Sequence, residues 1–246
     1  MNNQAYIHDY GGSGKTIVLL HGFLGSSTYW SRLAPLLIHA GYRVLAIDLL
    51  GFGKSPKPET AQYDYAEHIR FIDTALRQYG VNTPFILIGH SMGAVLAKRF
   101  ALAYQSSVKR LILLHPPLYY SESEAKAVLR DTSMLYRFLL ESRYRDVAWS
   151  IISRAKVLKI ASHTKRSREY SLYNIIEKAE ALSDLIQLRT KTLLVIGLKD
   201  RPQYRSNIKR LAVPDAISVE YRDLSHHSPL KNPKTVSSLV TEFITR

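Results

Sequence analysis

Short apolar runs recur along this chain with amphipathic stretches between them, and that alternation leaves few folds open. TIVLLHGF (Thr16 to Phe23), RVLAIDLL (Arg43 to Leu50), FILIGHS (Phe85 to Ser91) and RLILLH (Arg110 to His115) are runs of strand length. Being apolar without strict alternation, they suit strands buried on both faces. Between them, YWSRLAPLLIHA, DYAEHIRFIDTALRQY and MGAVLAKRFALAYQ carry apolar residues at three- and four-residue spacing, as crossover helices do. Strand and helix in turn predict an α/β fold around a mostly parallel sheet.

After Pro116-Pro117 the rhythm stops, and up to Arg189 only helical patterns occur, among them SMLYRFLLESRYRDVAWSII and REYSLYNIIEKAEAL. TLLVIG (Thr192 to Gly197) and SVEYRDL (Ser218 to Leu224) restore it, before a closing amphipathic stretch, PKTVSSLVTEFITR. Pro233 suits the first turn of that last helix. The expected organisation is one core built from 1–115 and 190–246, interrupted by a helical insertion at 116–189. A chain of 246 residues is the right size for it.

Composition removes several function classes. Cys is absent, which excludes disulfides, thiolate catalysis and Cys-ligated zinc. The nine histidines include no HExxH spacing, so no metal is expected. Lys and Arg outnumber Asp and Glu by 34 to 20, giving a net charge of +14 that attracts polyanions without selecting among them. No basic zipper or Cys/His finger accompanies that charge, so sequence-specific nucleic-acid binding is not expected. The N-terminal MNNQAYIHDYGGSGK lacks a secretory apolar segment, and no run approaches the roughly 18 apolar residues of a membrane span. Cytoplasm is the expected compartment.

Gly89-His90-Ser91-Met92-Gly93 fits G-x-S-x-G, a turn that places a serine between a strand and a helix with glycines where the chain packs tightly. A serine hydroxyl is a poor nucleophile near neutral pH. It needs a histidine to take its proton and a carboxylate to hold the imidazole in the right tautomer. Asp200, after TLLVIGLK, and Ser225-His226-His227, after SVEYRDL, both follow predicted strands. Ser, Asp, His is also the chain order that accompanies G-x-S-x-G. Donors for an oxyanion are available from the backbone N–H of Met92, at a helix start, and of Phe23, where Gly22 lets the chain turn. Catalytic Ser91, Asp200 and His226, with an oxyanion hole of Phe23 and Met92, is therefore the expected site.

HGF at 21–23, DLLGFGKSPKP at 48–58, GHSMG at 89–93, GLKD at 197–200 and SHHSPLKNP at 225–233, together and in this order, resemble the α/β-hydrolase fold family. The resemblance implies a mostly parallel eight-stranded sheet, a helical cap formed by the insertion, no cofactor, and a small-molecule ester as substrate. It also leaves C–C bond hydrolysis of ring-cleavage products open, although enzymes of that kind more often resemble G-N-[SA]-x-G where this chain has His90. Dehalogenases and epoxide hydrolases are similar but carry Asp where Ser91 stands. A ligand-binding protein without turnover can share the same fold. The interval from His226 to Pro233 resembles the family's spacing, which favours His226 over His227 as the base; His227 before Ser228-Pro229 keeps the alternative register open.

Other residues carry competing readings. Asp223, three residues before His226, is the rival carboxylate. His21 and His90 are expected to position loops, and His115, at a strand end, either packs or faces substrate. GGSGKT at 11–16 imitates a phosphate loop, but it precedes a strand where such a loop must follow one, so a turn is expected. Asp48 and the GFGKS turn shape a loop, with Lys54 a candidate for the pocket rim. The basic run Arg154, Lys156, Lys159, Lys165, Arg166 and Arg168 is either a solvated face or an entrance that steers anions.

Overall fold

The computed structural model describes residues 4–81, 84–131 and 161–246. At its centre lie β1 (Ile7–Gly11), β2 (Thr16–Leu20), β3 (Arg43–Ile47), β4 (Phe85–His90), β5 (Val108–Leu114), β6 (Thr192–Gly197) and β7 (Ile217–Arg222). They form one sheet in the order β1-β3-β2-β4-β5-β6-β7, in which β1 runs antiparallel to β3 and the other pairs are parallel. The family resemblance implied eight strands, whereas the described residues form seven. Ahead of β2 the chain supplies one strand and then turns at Gly11, Gly12 and Gly14, all at positive φ. A side chain at Gly12 would collide with the Tyr42 carbonyl, its Cβ 2.1 Å from that oxygen. GGSGKT is thus the turn into β2, with no helix behind it to cradle a phosphate.

Alternation within each strand sorts the core onto two faces, as the pleat requires. Val18, Leu20, Leu87, Leu111, Leu113, Leu194 and Ile196 point to one face, where they meet Ile69, Ile72, Val95 and Phe100. Ile17, Leu19, Ile86, Ile88, Ile112, Leu114, Leu193 and Val195 point to the other, against Trp30, Leu37, Val240 and Phe243. Burial on both faces explains why these strands read as continuous apolar runs.

The predicted crossovers become α1 (Ala34–His39), α2 (Tyr65–Gln78) and α3 (Met92–Ala103). The Asp64 side chain caps α2 by accepting the Glu67 N–H at 2.9 Å. The first crossover is shorter than its apolar stretch, because Ser27–Trp30 forms a separate 3₁₀ turn and α1 starts only at Ala34, with Pro35 in its first turn. The closing helix, Pro233–Thr245, begins at the expected proline.

Between β5 and β6 the described residues are helical: α4 (Glu122–Asp131), then Lys165–Ser171 running on through a π-helical stretch to Glu177, then Ala181–Leu185. The helical expectation for Ser133 to Ile152 lies outside the described residues. A buried ion pair joins the far end of this region to the core. Lys98 on α3 meets Asp184 at 2.9 Å and donates to the Ala181 carbonyl at 2.7 Å, while Arg99 pairs with both Glu180 and Asp184. Burial pushes the Lys98 ammonium down to about 8 in pKa, against the opposing pull of Asp184.

Strands β3 and β4 flank β2, so the chain changes direction across the sheet at that point. The carboxyl ends of the strands beside such a switch point are where open α/β sheets place their sites.

Candidate active site

Ser91 stands at that end of the sheet between β4 and α3, at φ +53 and ψ −121, a conformation rarely adopted by residues with a side chain. The surrounding structure holds it there. Its N–H donates to the Leu114 carbonyl at 2.9 Å, and its own carbonyl accepts from the Ala94 N–H at 2.9 Å. The two glycines of the motif are required by close approach. A Cβ at Gly89 would sit 2.2 Å from the Gly93 oxygen, and one at Gly93 2.3 Å from the Leu20 oxygen. The turn is thus pressed against the end of β2, and Ser91 is left partly exposed.

The loop after β2 passes directly beside it. A Cβ at Gly22 would lie 3.1 Å from Ser91 Cβ, so the His21-Gly22-Phe23 turn borders the serine. His21 fastens this loop to the end of β3: Nε2 accepts the Leu49 N–H at 3.0 Å, and Nδ1 donates to the Gly22 carbonyl at 2.8 Å. Burial lowers its pKa to about 4, which keeps the ring neutral, as these two bonds need. Its role is structural. Met92 opens α3, so its N–H has no intrahelical acceptor.

Asp200, in the loop after β6, accepts His226 Nδ1–H at 2.7 Å through Oδ2 and the Arg201 N–H at 2.8 Å through Oδ1. Burial opposes ionisation of this carboxyl, but the His226 hydrogen bond and charge and the Arg201 amide outweigh it and hold the pKa below the ordinary value. Asp223 is elsewhere, exposed and paired with Lys199 at 2.7 Å. His227 does not reach Asp200 by any hydrogen bond among the described residues; its Nδ1 lies 3.4 Å from the Tyr29 hydroxyl.

His90 ties these loops together. Its Nε2 lies 2.8 Å from the His226 carbonyl and 3.3 Å from the Tyr29 hydroxyl, and its ring stacks on Tyr29 at 4.7 Å. Burial, with repulsion from His226 and His115, holds its pKa well below that of free histidine. Tyr29 carried no recognisable signal in the sequence, being one aromatic residue in a turn. His115 is buried, with Nε2 2.7 Å from Ser228 Oγ, which answers the question of whether it packs or faces substrate in favour of packing.

Asp48 shapes its loop as expected, accepting the N–H groups of Ser27 and Lys54, and Gly53 is obligatory because a Cβ there would meet the Asp48 carboxylate. Lys54 lies over the Tyr6 ring, 4.5 Å from its centroid. Of the basic run, Lys165 is exposed, Arg166 donates to the Ala61 carbonyl and stacks on Tyr170, and Arg168 is buried. Arg154, Lys156 and Lys159 lie outside the described residues. Among the described residues, no helix is long and apolar enough to cross a membrane.

Comparison with known proteins agrees with this architecture. The chain is 42% identical over 189 residues to probable lysophospholipase BODYGUARD 1 of Arabidopsis thaliana, covering 74% of this chain and 39% of that protein. Against the plant relatives of this group it spans from 21% to 51% of their length. It is 27% identical to lipase 1 of Psychrobacter immobilis over 233 residues, 87% of this chain and 72% of that one. A solved thermophilic esterase from Thermogutta terrifontis superposes with a TM-score of 0.75 at 22% identity, covering 98% of this chain and 93% of that one. The α/β-hydrolase fold model matches residues 15–148, and on that match, with the sheet order and the turn at Ser91, this chain belongs to the α/β-hydrolase fold family.

Proposed function

We propose that this chain is a serine hydrolase that cleaves carboxylic esters through an acyl-enzyme. The observation that carries the reading is the 2.7 Å bond from His226 Nδ1–H to Asp200, because it leaves Nε2 as the free lone pair a base requires. His226 Nε2 takes the Ser91 proton as Oγ attacks the ester carbonyl. The N–H groups of Phe23 and Met92 receive the oxyanion, and the imidazolium returns its proton to the departing alkoxide. Water, deprotonated by the same nitrogen, then attacks the acyl-Ser91 ester and releases the acid. Asp200 stays ionised throughout and stabilises the imidazolium.

Resemblance to proteins named lysophospholipase, lipase and esterase supports an acyl ester as the substrate class. The test is labelling by a fluorophosphonate probe alongside turnover of a series of p-nitrophenyl esters, in the wild type and in Ser91→Ala. The wild type is expected to label at Ser91 and turn over short esters, and the variant to lose at least about 10³-fold in rate. A folded variant that keeps its rate would overturn the assignment.

A further inference from the structure

β5 hands over to a residue whose backbone and ring are both held unusually tightly. His115 has φ +51, a left-handed conformation in which Asn, Asp and His are the commoner side-chain-bearing residues. Its N–H donates to the Val195 carbonyl at 3.0 Å, which binds it to β6. The ring lies against Gly197, where a Cβ would come within 2.9 Å of Cε1 and 3.0 Å of Nδ1, so glycine alone leaves room for it. From there it reaches Asp200 and the loop that carries His226. Nε2 is 2.7 Å from the buried Ser228 Oγ, and Nδ1 is 3.8 Å from Asp200 Oδ2, the oxygen that also accepts from His226.

We infer that His115 is a positioning residue for this site: its Nδ1–H lies near the same Asp200 oxygen that His226 bonds, and its Nε2, accepting from the Ser228 hydroxyl, holds the loop that carries His226. The inference rests on the Ser91–His226–Asp200 reading. One tautomer satisfies the surroundings. With hydrogen on Nε2, the Nδ1 lone pair would confront a carboxylate oxygen inside the protein; with hydrogen on Nδ1, a dipole points at the anion and the serine hydroxyl completes the other end. Nδ1 has no hydrogen-bond partner among the described residues, and the inference has its 3.8 Å separation from Asp200 close once substrate is bound, as apo catalytic contacts often do. Burial and the proximity of His226 outweigh the opposing pull of Asp200 and hold the pKa of His115 near 4, so the ring stays neutral beside its neighbours. Ser228 opens the short helix that directly follows His226-His227, and that is how a ring at the end of β5 can set the position of a loop after β7.

The test compares kcat and KM for one p-nitrophenyl ester in Ser91→Ala, His115→Phe, His115→Asn, Ser228→Ala and the double variant His115→Phe/Ser228→Ala, with thermal unfolding of each. His115→Phe removes both nitrogens, and with them the Ser228 bond and the dipole beside Asp200, and is expected to lower kcat about tenfold or more, with KM near that of the wild type. His115→Asn suits the left-handed backbone and returns an N–H near the position of Nδ1, so it is expected to stay within about threefold of the wild type. Ser228→Ala is expected to lower kcat in the wild type and to add nothing in the His115→Phe background. Full activity in His115→Phe, or an Asn variant no better than Phe with kcat, KM and stability falling together, would overturn the inference. Turnover surviving in Ser91→Ala would instead overturn the reading beneath it.

Discussion

His90 Nε2 lies 2.8 Å from the carbonyl oxygen of His226, so the residue next to the nucleophile candidate is bonded to the backbone of the base candidate. These residues are 136 positions apart in the chain, and this bond joins the end of β4 to the loop after β7 without passing through Ser91 itself. A buried carbonyl that loses such a donor goes unpaired, so the bond resists displacement of the loop.

Replacing His90 by Phe keeps the stacking on Tyr29 and removes that donor. The acylation rate in a single turnover with p-nitrophenyl acetate is expected to fall about tenfold, the scale of one misplaced hydrogen bond. An unchanged rate would mean that the His226 loop is held by its other contacts.

The adjacent histidines are expected to separate cleanly. His226→Ala removes the partner of Asp200 and should cost on the order of 10³ or more in kcat. His227→Ala, which loses a long contact to Tyr29 and ring packing beside His90 and His226 but no bond to Asp200, should cost far less. Acylation rates of the two variants decide it, and a greater loss in His227→Ala would reverse the assignment.

His68, buried on α2, has neither ring nitrogen hydrogen-bonded among the described residues, and burial lowers its pKa to about 3. Because the folded-state value lies below the ordinary 6.5, the unfolded chain takes the proton first. The stability of the neutral ring is therefore fully present above about pH 6.5 and is lost as pH falls toward 3. Between pH 8 and pH 5 that amounts to about 2 kcal/mol. His68→Leu should unfold at higher urea than the wild type at pH 8, since it removes unpaired buried polar atoms, and should gain further at pH 5. Equal midpoints at both pH values would show that the ring is satisfied in solution.

Asp184 neutralises Lys98 where neither side chain meets water. Asp184→Ala strands a buried ammonium and is expected to cost about 3 kcal/mol or more in urea unfolding, whereas Lys98→Met/Asp184→Leu, which fills the space with apolar atoms, should recover most of it. A double variant as unstable as the single one would show that Arg99 and Glu180, not the Lys98 pair, carry the contact.

What the chain discloses by itself is whatever depends on neighbours in sequence. Apolar runs long enough for one strand, helical spacing between them and the Gly89 to Gly93 turn are local patterns, so the parallel sheet, its crossovers and the place of Ser91 were legible. Pro233 likewise marks a helix start through its own backbone geometry. The tertiary structure decided the rest. Which histidine meets Asp200 depends on how a loop after β7 settles against one after β6, and adjacent residues with the same side chain offer no local pattern to separate them. Among the described residues the sheet holds seven strands where resemblance implied eight, because the turn at Gly11 to Gly14 leads from a single edge strand straight into β2. Arg168 reads as one more cation in a basic run, yet it is buried; Tyr29 reads as one aromatic among many, yet it sits between His90 and His227. Burial and pairing of this kind come from contacts between segments distant in the chain, and periodicity along one segment carries no record of the surface it will be packed against.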